Sequence, residues 1–262
     1  MDVTQELTVV IPVRIDCIER KENLNTVLFS LLKTTAATII VLEADNERKY
    51  FYPETTEQIK HHFIEDHNPI SHRTLYLNQL LKMTKTNIVG IWDTDVIFEN
   101  EQIEKAVREI QSGITLCYPY DGRFVFLNAE KSEKVREDVL AFLADKEKET
   151  NSSLFARPSV GGALIVNKQH YVAAGGENEN FYGWGPEDAE RFKRMEILEE
   201  PVSRISGALY HLHHPRGINS TFGHDERDKR NVQELIKICR MNSIQLKKYI
   251  NMWDWKMKND QG

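Results

Sequence analysis

With 262 residues, the chain is long enough for one large domain or two small ones. Its 40% hydrophobic and 28% charged content is that of a soluble globular protein, and no apolar run reaches the ~18 residues that a membrane-spanning helix requires. A net charge of −6 argues against general nucleic-acid binding, and the scattered Cys17, Cys117 and Cys239 argue against a disulfide framework or a cysteine-ligated zinc.

The start of the chain is polar and lacks the basic and apolar regions of a signal peptide, so a cytoplasmic protein is expected, with peripheral membrane association through a partner still open. Residues 8–13 form a short apolar, β-branched run and predict a buried strand. Leu24, Val27, Leu28, Leu31 and Leu32 follow with helical spacing. A second strand is expected over 38–42, ending toward Glu43 and Asp45, and a weaker third over 61–64. A helix over 71–83, a buried strand over 87–92 and a helix through Ile103, Ala106, Val107 and Ile110 complete the regular half.

The second half is less regular. It predicts a charged helix over 132–148, a small-residue strand over 159–166 and a shaped, glycine-rich loop over 175–185. A helix over 186–196 with Pro186 at its first position follows, then a strand over 206–214 and a helical region over 227–250. The Trp253-Asp254-Trp255 tail receives no role. Alternation of strands and helices implies an α/β fold with a mostly parallel sheet covered on both faces. Ligands of such sheets bind beyond the carboxyl ends of the strands, which puts Arg14, Glu43, Asp45, Asp93 and Asp95 on one rim.

Three segments carry chemistry. Asp93-Thr94-Asp95 follows a strand, so its two carboxylates can reach a hard cation such as Mg²⁺ or Mn²⁺ and a sugar hydroxyl. In Tyr210-His211-Leu212-His213-His214, His211 and His213 would share a strand face and a turn would redirect His214. In Tyr182-Gly183-Trp184-Gly185-Pro186-Glu187-Asp188, the glycines admit close backbone approach and Trp184 offers a flat apolar face to a sugar ring. Glu187 and Asp188 fall in the first helical turn, where the dipole favours ionised carboxylates and a base could accept a hydroxyl proton. Each segment alone has an ordinary alternative: a solvated turn, a surface histidine cluster, and an acidic helix start. Arg14 and Arg73 offer forked contacts to phosphate, or surface ion pairs.

Taken together and in order, these segments resemble the beta-1,4-galactosyltransferase and chondroitin-synthase type of glycosyltransferase over roughly residues 7 to 220. Ile11-Pro12-Val13-Arg14 is similar to the family's first-strand Pro-Phe-Arg, Ser71 to Asn78 to its Asn-Arg-Ala helix, and Asp93-Thr94-Asp95 to its Asp-Val-Asp. Gly161-Gly162-Ala163-Leu164, Gly175-Gly176, Phe181 to Gly185 and Glu187-Asp188 resemble its C-terminal signature, and Tyr210 to Pro215 the His-x-x-His ending of the chondroitin-synthase branch. The chain departs from the pattern at Pro186 and Ala189 and over 130–150, which reads as a helical insertion on the acceptor side.

The resemblance implies a single GT-A nucleotide-diphospho-sugar transferase domain over 1–262. It divides into a nucleotide-sugar half at 1–115, an acceptor half at 116–225 and a C-terminal helical region at 226–262. It implies an inverting transfer of a hexose or N-acetylhexosamine from a UDP-sugar to a glycan or glycolipid hydroxyl, as in polysaccharide biosynthesis. Pro12, Arg14, Glu43, Arg73, Asp93 and Gly162 would face the donor. Asp95, His211 and His214 would hold Mn²⁺ or Mg²⁺. Trp184, Gly185, Glu187 and Asp188 would hold the acceptor, with Asp188 the base. Three other functions would require different residues. A sugar- or nucleotide-binding protein without turnover would not need Asp188 and the metal ligands together. A nucleotidyltransferase would carry a glycine-rich basic loop after the first strand, where this chain has Ile15-Asp16-Cys17-Ile18-Glu19. A metal phosphohydrolase would need more ligands for two ions.

Overall fold

The structure, a computed structural model, describes residues 2–53, 56–148, 157–221 and 226–257. The first half runs β1 (Leu7–Val13), α1 (Ile18–Thr34), β2 (Thr38–Asp45), β3 (Ile59–Glu65), α2 (Arg73–Met83), β4 (Ile88–Trp92), β5 (Val96–Ile97) and α3 (Asn100–Gln111). The second runs β6 (Leu116–Tyr118), β7 (Phe124–Phe126), α4 (Ala129–Glu137), α5 (Val139–Ala144), β8 (Ala163–Asn167) and α6 (Lys168–Ala173). It continues with α7 (Glu187–Leu198), β9 (Val202–Arg204), β10 (Leu209–His211), α8 (Glu226–Cys239), α9 (Ser243–Ile250) and α10 (Asp254–Met257).

Seven strands form the main sheet in the order β3-β2-β1-β4-β8-β6-β9. β1, β2, β3 and β4 are parallel neighbours, and β8 runs antiparallel to both β4 and β6. β1 and β4 are apolar along almost their whole length because helices cover both faces, and their side chains lie in the main core. The sheet is therefore mostly parallel, as the alternation of runs predicts.

Two features of the topology build the site. Antiparallel pairing sets Trp92 at the end of β4 opposite Ala163 at the start of β8. The Asp93 amide then donates to the Gly162 carbonyl at 2.8 Å. A second, three-stranded sheet, β5-β10-β7, pairs Val96 with His211. Beside it the Leu212 amide donates to the Asp95 carbonyl at 2.8 Å. Residues more than a hundred positions apart thus share one strand end.

Several boundaries differ from the sequence expectation. The helix expected over 132–148 is two helices, broken at Asp138, whose side chain accepts from the Ala141 amide and caps α5. The strand expected over 159–166 starts at Ala163, because Gly162 has a φ of 85° that bends the chain. The helical region expected over 227–250 breaks before Ser243, where Asn242 and Gln245 form a capping box. Positions 149–150 of the expected insertion lie outside the described residues. Trp253 gains a role: it is buried with Ile238, Leu246 and Ile250 in a small second core and stacks on Trp255 at 4.8 Å.

Candidate active site

A cleft of about 1040 Å³ opens at the carboxyl ends of β1 and β4, lined by Pro12, Arg73, Asp93, Asp95, Gly162, Trp184, Glu187, Asp188, His211 and His214 among others. On its floor Asp95 Oδ1 lies 3.5 Å from His211 Nε2, and Asp95 Oδ2 lies 3.2 Å from His214 Nε2. One ligand atom from each of these three residues falls within 4.8 Å of the others. Burial holds the His211 imidazole below its usual range despite the pull of Asp95. Burial also opposes charge on His214, but the hydrogen bond and charge of Asp95 outweigh it and raise that imidazole. Burial pushes the Asp95 carboxyl up, yet His211, His214 and Arg20 together hold it well below the usual carboxylate range. His213, the third histidine of the run, is exposed and bonds through its backbone to Asn23 and Ser132.

The opposite wall is acidic and basic by turns. Arg73 Nη2 meets Asp93 Oδ1 at 2.5 Å, while its buried Nη1 has no hydrogen-bond partner. Burial raises the Asp93 carboxyl, with Arg73 opposing. Asp188 Oδ1 meets Arg191 Nη1 at 2.5 Å, and Asp188 Oδ2 faces Gly161 so closely that a Cβ there would lie 2.7 Å from it. Glu187 is buried, its Oε2 has no partner, and burial beside the Asp188 charge pushes its carboxyl up to about 8. Trp184 lines the rim of the cleft and is 40% exposed.

Three expected site residues have other work. Glu43 does not line the cleft; its Oε1 accepts from the Lys49 and Tyr50 amides at 2.8 and 3.0 Å, so it shapes the loop after β2. Gly185 is likewise absent from the lining, and a Cβ there would strike Asn231 of α8 at 2.7 Å. Its missing side chain makes room for a helix. Arg14 borders the cleft, but its guanidinium is engaged by the Ala44 carbonyl at 2.7 Å, Asp66 at 2.5 Å and the Asn68 carbonyl. It therefore ties the ends of β1, β2 and β3 together. Conversely, Arg20 was not singled out by the sequence, yet it lines the floor with Nη1 3.5 Å from Asp95 Oδ2. Arg191 was also missed, since its partner Glu177 sits in a turn with no readable period.

Fold and cleft first define a class, the GT-A type of nucleotide-diphospho-sugar transferase fold. The structure matches that of a mutant Drosophila beta-1,4-galactosyltransferase 7 in complex with manganese, UDP-Gal and xylobiose, at a TM-score of 0.53 and 16% identity. That match covers 90% of this chain and 79% of the other. The catalytic domain of the Drosophila beta-1,4-galactosyltransferase 7 in complex with xylobiose matches at 0.51 and 16%, covering 91% and 82%. More particularly, residues 145–215 match a family model described as the N-terminal domain of galactosyltransferase. The mouse and human proteins named beta-1,4-galactosyltransferase 7 are each 34% identical over 103 residues, covering 34% of this chain and 28% of theirs. The chain thus resembles the galactosyltransferases in both fold and sequence, though the aligned region spans less than a third of the length of these curated relatives.

Proposed function

We propose that the protein is an inverting, metal-dependent glycosyltransferase that moves a hexose or N-acetylhexosamine from a UDP-sugar to a hydroxyl of a glycan. The observation that carries this is the meeting of Asp95, His211 and His214 in the cleft that also holds Asp188 and Trp184. The donor set fits a divalent ion. It offers one carboxylate and two imidazoles 3.2–3.5 Å from it, a mixed set that suits Mn²⁺. Manganese and UDP-Gal in the Drosophila complex support the same choice of ion and make UDP-galactose the first donor to try. A bound ion would supply charge neutralisation to a leaving diphosphate.

This chain's residues do the rest. Pro12, Gly162, Asp93 and Arg73 form the donor wall, with the partnerless Arg73 Nη1 available to a phosphate or sugar oxygen. Arg14 and Glu43 hold that wall in shape from behind. Trp184 receives the apolar face of the acceptor, and Glu187 Oε2 a hydroxyl of it. Asp188 Oδ2 takes the proton as the acceptor oxygen bonds to the anomeric carbon. The bond from that carbon to the diphosphate oxygen breaks from the opposite face, releasing UDP. Holding both sugars in line supplies much of the rate. Residues 1–115, joined by Gly162, His211 and His214, then serve the donor, the rest of the 116–225 half serves the acceptor, and α8 of the C-terminal helical region supports the acceptor loop. Cytoplasmic residence belongs to the same proposal and rests on three thiols that are all free; cell fractionation that finds the protein elsewhere overturns that part.

The test is UDP release across UDP-galactose, UDP-glucose and their N-acetylated forms, with xylobiose, other glycans and glycolipids as acceptors, in Mn²⁺ or EDTA. We expect release that needs both acceptor and Mn²⁺, and a β-linked product from an α-linked donor by NMR. Release indifferent to EDTA removes the metal from the mechanism. Asp188→Asn should cost roughly 10²–10⁴-fold in kcat, the usual range for a general base, with UDP affinity kept. Near-normal turnover in that variant removes Asp188 from the role.

A further inference from the structure

The inner face of α8 is unusual. Its fully buried positions follow helical spacing, yet the first two, Asp228 and Asn231, are polar, and only the third, Ile238, is apolar. Asparagine is a poor residue for a helix interior, and a buried amide must be bonded to be tolerated. Asn231 is 1% exposed, and its bonds all go to one place. Its Oδ1 accepts from the Tyr182 amide at 3.3 Å, and its Nδ2 donates to the Tyr182 carbonyl at 3.0 Å and to the Trp184 carbonyl at 3.5 Å. One turn further along, Glu234 accepts from the side-chain amides of Asn178 and Asn180 at 3.0 and 3.1 Å. The loop answers in kind. Gly183 has a φ of 74°, and a Cβ there would lie 3.1 Å from the Arg227 side chain, while a Cβ at Gly185 would meet Asn231 at 2.7 Å.

The other edge of the same loop is fixed on α2. Asn78 bonds Glu177 and Glu179, and Thr74 Oγ1 donates to the Phe181 carbonyl at 2.9 Å. Those bonds to the loop backbone stop at Phe181; beyond it the Tyr182 side chain is held on the same edge, its hydroxyl donating to the Ile70 carbonyl at 3.1 Å and its ring packing edge-on to His72 at 5.0 Å. Asn231 acts further along, across Tyr182 and Trp184, where the chain turns toward the cleft. The segment of the chain that matches the galactosyltransferase family model ends at residue 215, so α8 lies outside it.

We propose that Asn231 is a positioning residue for the acceptor: α8 clasps the Tyr182–Trp184 backbone and so fixes the angle at which the Trp184 face meets the sugar. The C-terminal helices are then part of the binding machinery for the acceptor and not for the donor, since the clasped loop carries Trp184 and the metal cluster lies on other elements. The acceptor part of this rests on the glycosyltransferase reading; the clasp itself does not.

Two variants attack the clasp from opposite sides. Asn231→Ala removes the amide, and Gly185→Ala leaves the amide but pushes a methyl group into it. Acrylamide quenching of Trp184, taken as the difference from Trp184→Phe backgrounds, reads the loop without any acceptor. We expect the quenching constant to rise about twofold in both variants. With xylobiose and UDP-galactose we expect the acceptor KM to rise roughly tenfold, about the worth of one or two lost hydrogen bonds, with kcat within a few-fold. UDP affinity in Mn²⁺ should not change. Unaltered quenching in both variants overturns the clasp. Raised quenching with an unaltered acceptor KM overturns the positioning role, and so does a parallel loss of UDP affinity in both variants, which marks a general loss of structure. A wild-type protein that binds no UDP with Mn²⁺ defeats the glycosyltransferase reading instead, and quenching then still decides the clasp.

Discussion

Asp188 is held from two sides, and the two constraints are of different kinds. Arg191 fixes Oδ1 by charge and hydrogen bonding, while Gly161 leaves the space that Oδ2 occupies. Gly161→Ala tests the second constraint alone. The added Cβ would sit 2.7 Å from Oδ2, so the carboxylate must swing away while the fold is otherwise undisturbed. We expect kcat to fall by roughly 10²-fold, as for a reacting group displaced by about an ångström, with Tm within a few degrees of wild type. Unchanged kcat would mean that Oδ2 is not the productive oxygen. The neighbouring Glu187 predicts a pH effect on stability. Its folded value of about 8 lies above its ordinary value of 4.5, so the native state holds a proton that the unfolded chain has released between those limits. Stability therefore falls as pH rises from about 4.5 to 8 and levels off above that. Glu187→Gln removes this slope. In urea unfolding the variant should gain on wild type as pH goes from 5 to 8.5, and a constant difference across that range would show that Glu187 titrates normally.

At the scale of elements, α7 works as a bracket. Arg191 pairs with Glu177 at 2.8 Å, with Tyr171 bonded to the same carboxylate at 2.7 Å. Arg194 pairs with Glu190 and donates to the Ala174 and Gly176 carbonyls at 2.6 and 2.7 Å. Both guanidinium groups are fully buried and tie α6 and the following turn to the helix that carries Asp188. Arg191→Met leaves the Glu177 carboxylate buried without its cation, and we expect a loss of about 3–5 kcal/mol in chemical denaturation, the usual cost of halving a buried pair. A loss below about 1 kcal/mol would show that water reaches Glu177. None of this was readable in advance. The acidic start of α7 was visible, but a charged face on a helix looks solvated until its partners are known, and Glu177 with the Ala174 and Gly176 carbonyls comes from the turn after α6. The strands β1, β2 and β4 were legible because each is a β-branched run of ordinary strand length. β5, of two residues, is too short to show any period, and the strand expected over 206–214 shortens to the three residues of β10, yet together they set His211 beside Asp95. Glu43 shows the limit from the other direction. It sits at a strand end on the expected rim, and only the fold shows its carboxylate turned back to the Lys49 and Tyr50 amides.

For the whole molecule, the metal cluster is a property of the folded state alone. Asp95 follows β4, whereas His211 and His214 arrive with β10, and nothing in the local chain would hold them together once the small sheet is lost. An ion that binds only this assembled set stabilises the fold by mass action, by about 2.7 kcal/mol at a concentration one hundred times its Kd. Mn²⁺ with UDP should therefore raise Tm, and Asp95→Ala should abolish the Mn²⁺ part of the rise. Protons compete for the same atoms. Despite its burial, His214 is held above its ordinary value by the hydrogen bond and charge of Asp95, so it keeps its proton to a higher pH than a free imidazole. A coordinating imidazole must be neutral, which makes Mn²⁺ affinity fall as pH drops through that raised value. The Mn²⁺-induced rise in Tm should accordingly be larger at pH 8 than at pH 6 at equal ion concentration. Its difference between the two pH values should vanish in His214→Ala, whose remaining ligands are Asp95 and His211. A rise of equal size at both pH values in the wild type would place Mn²⁺ away from His214, and a rise that survives in Asp95→Ala would place it away from the cluster.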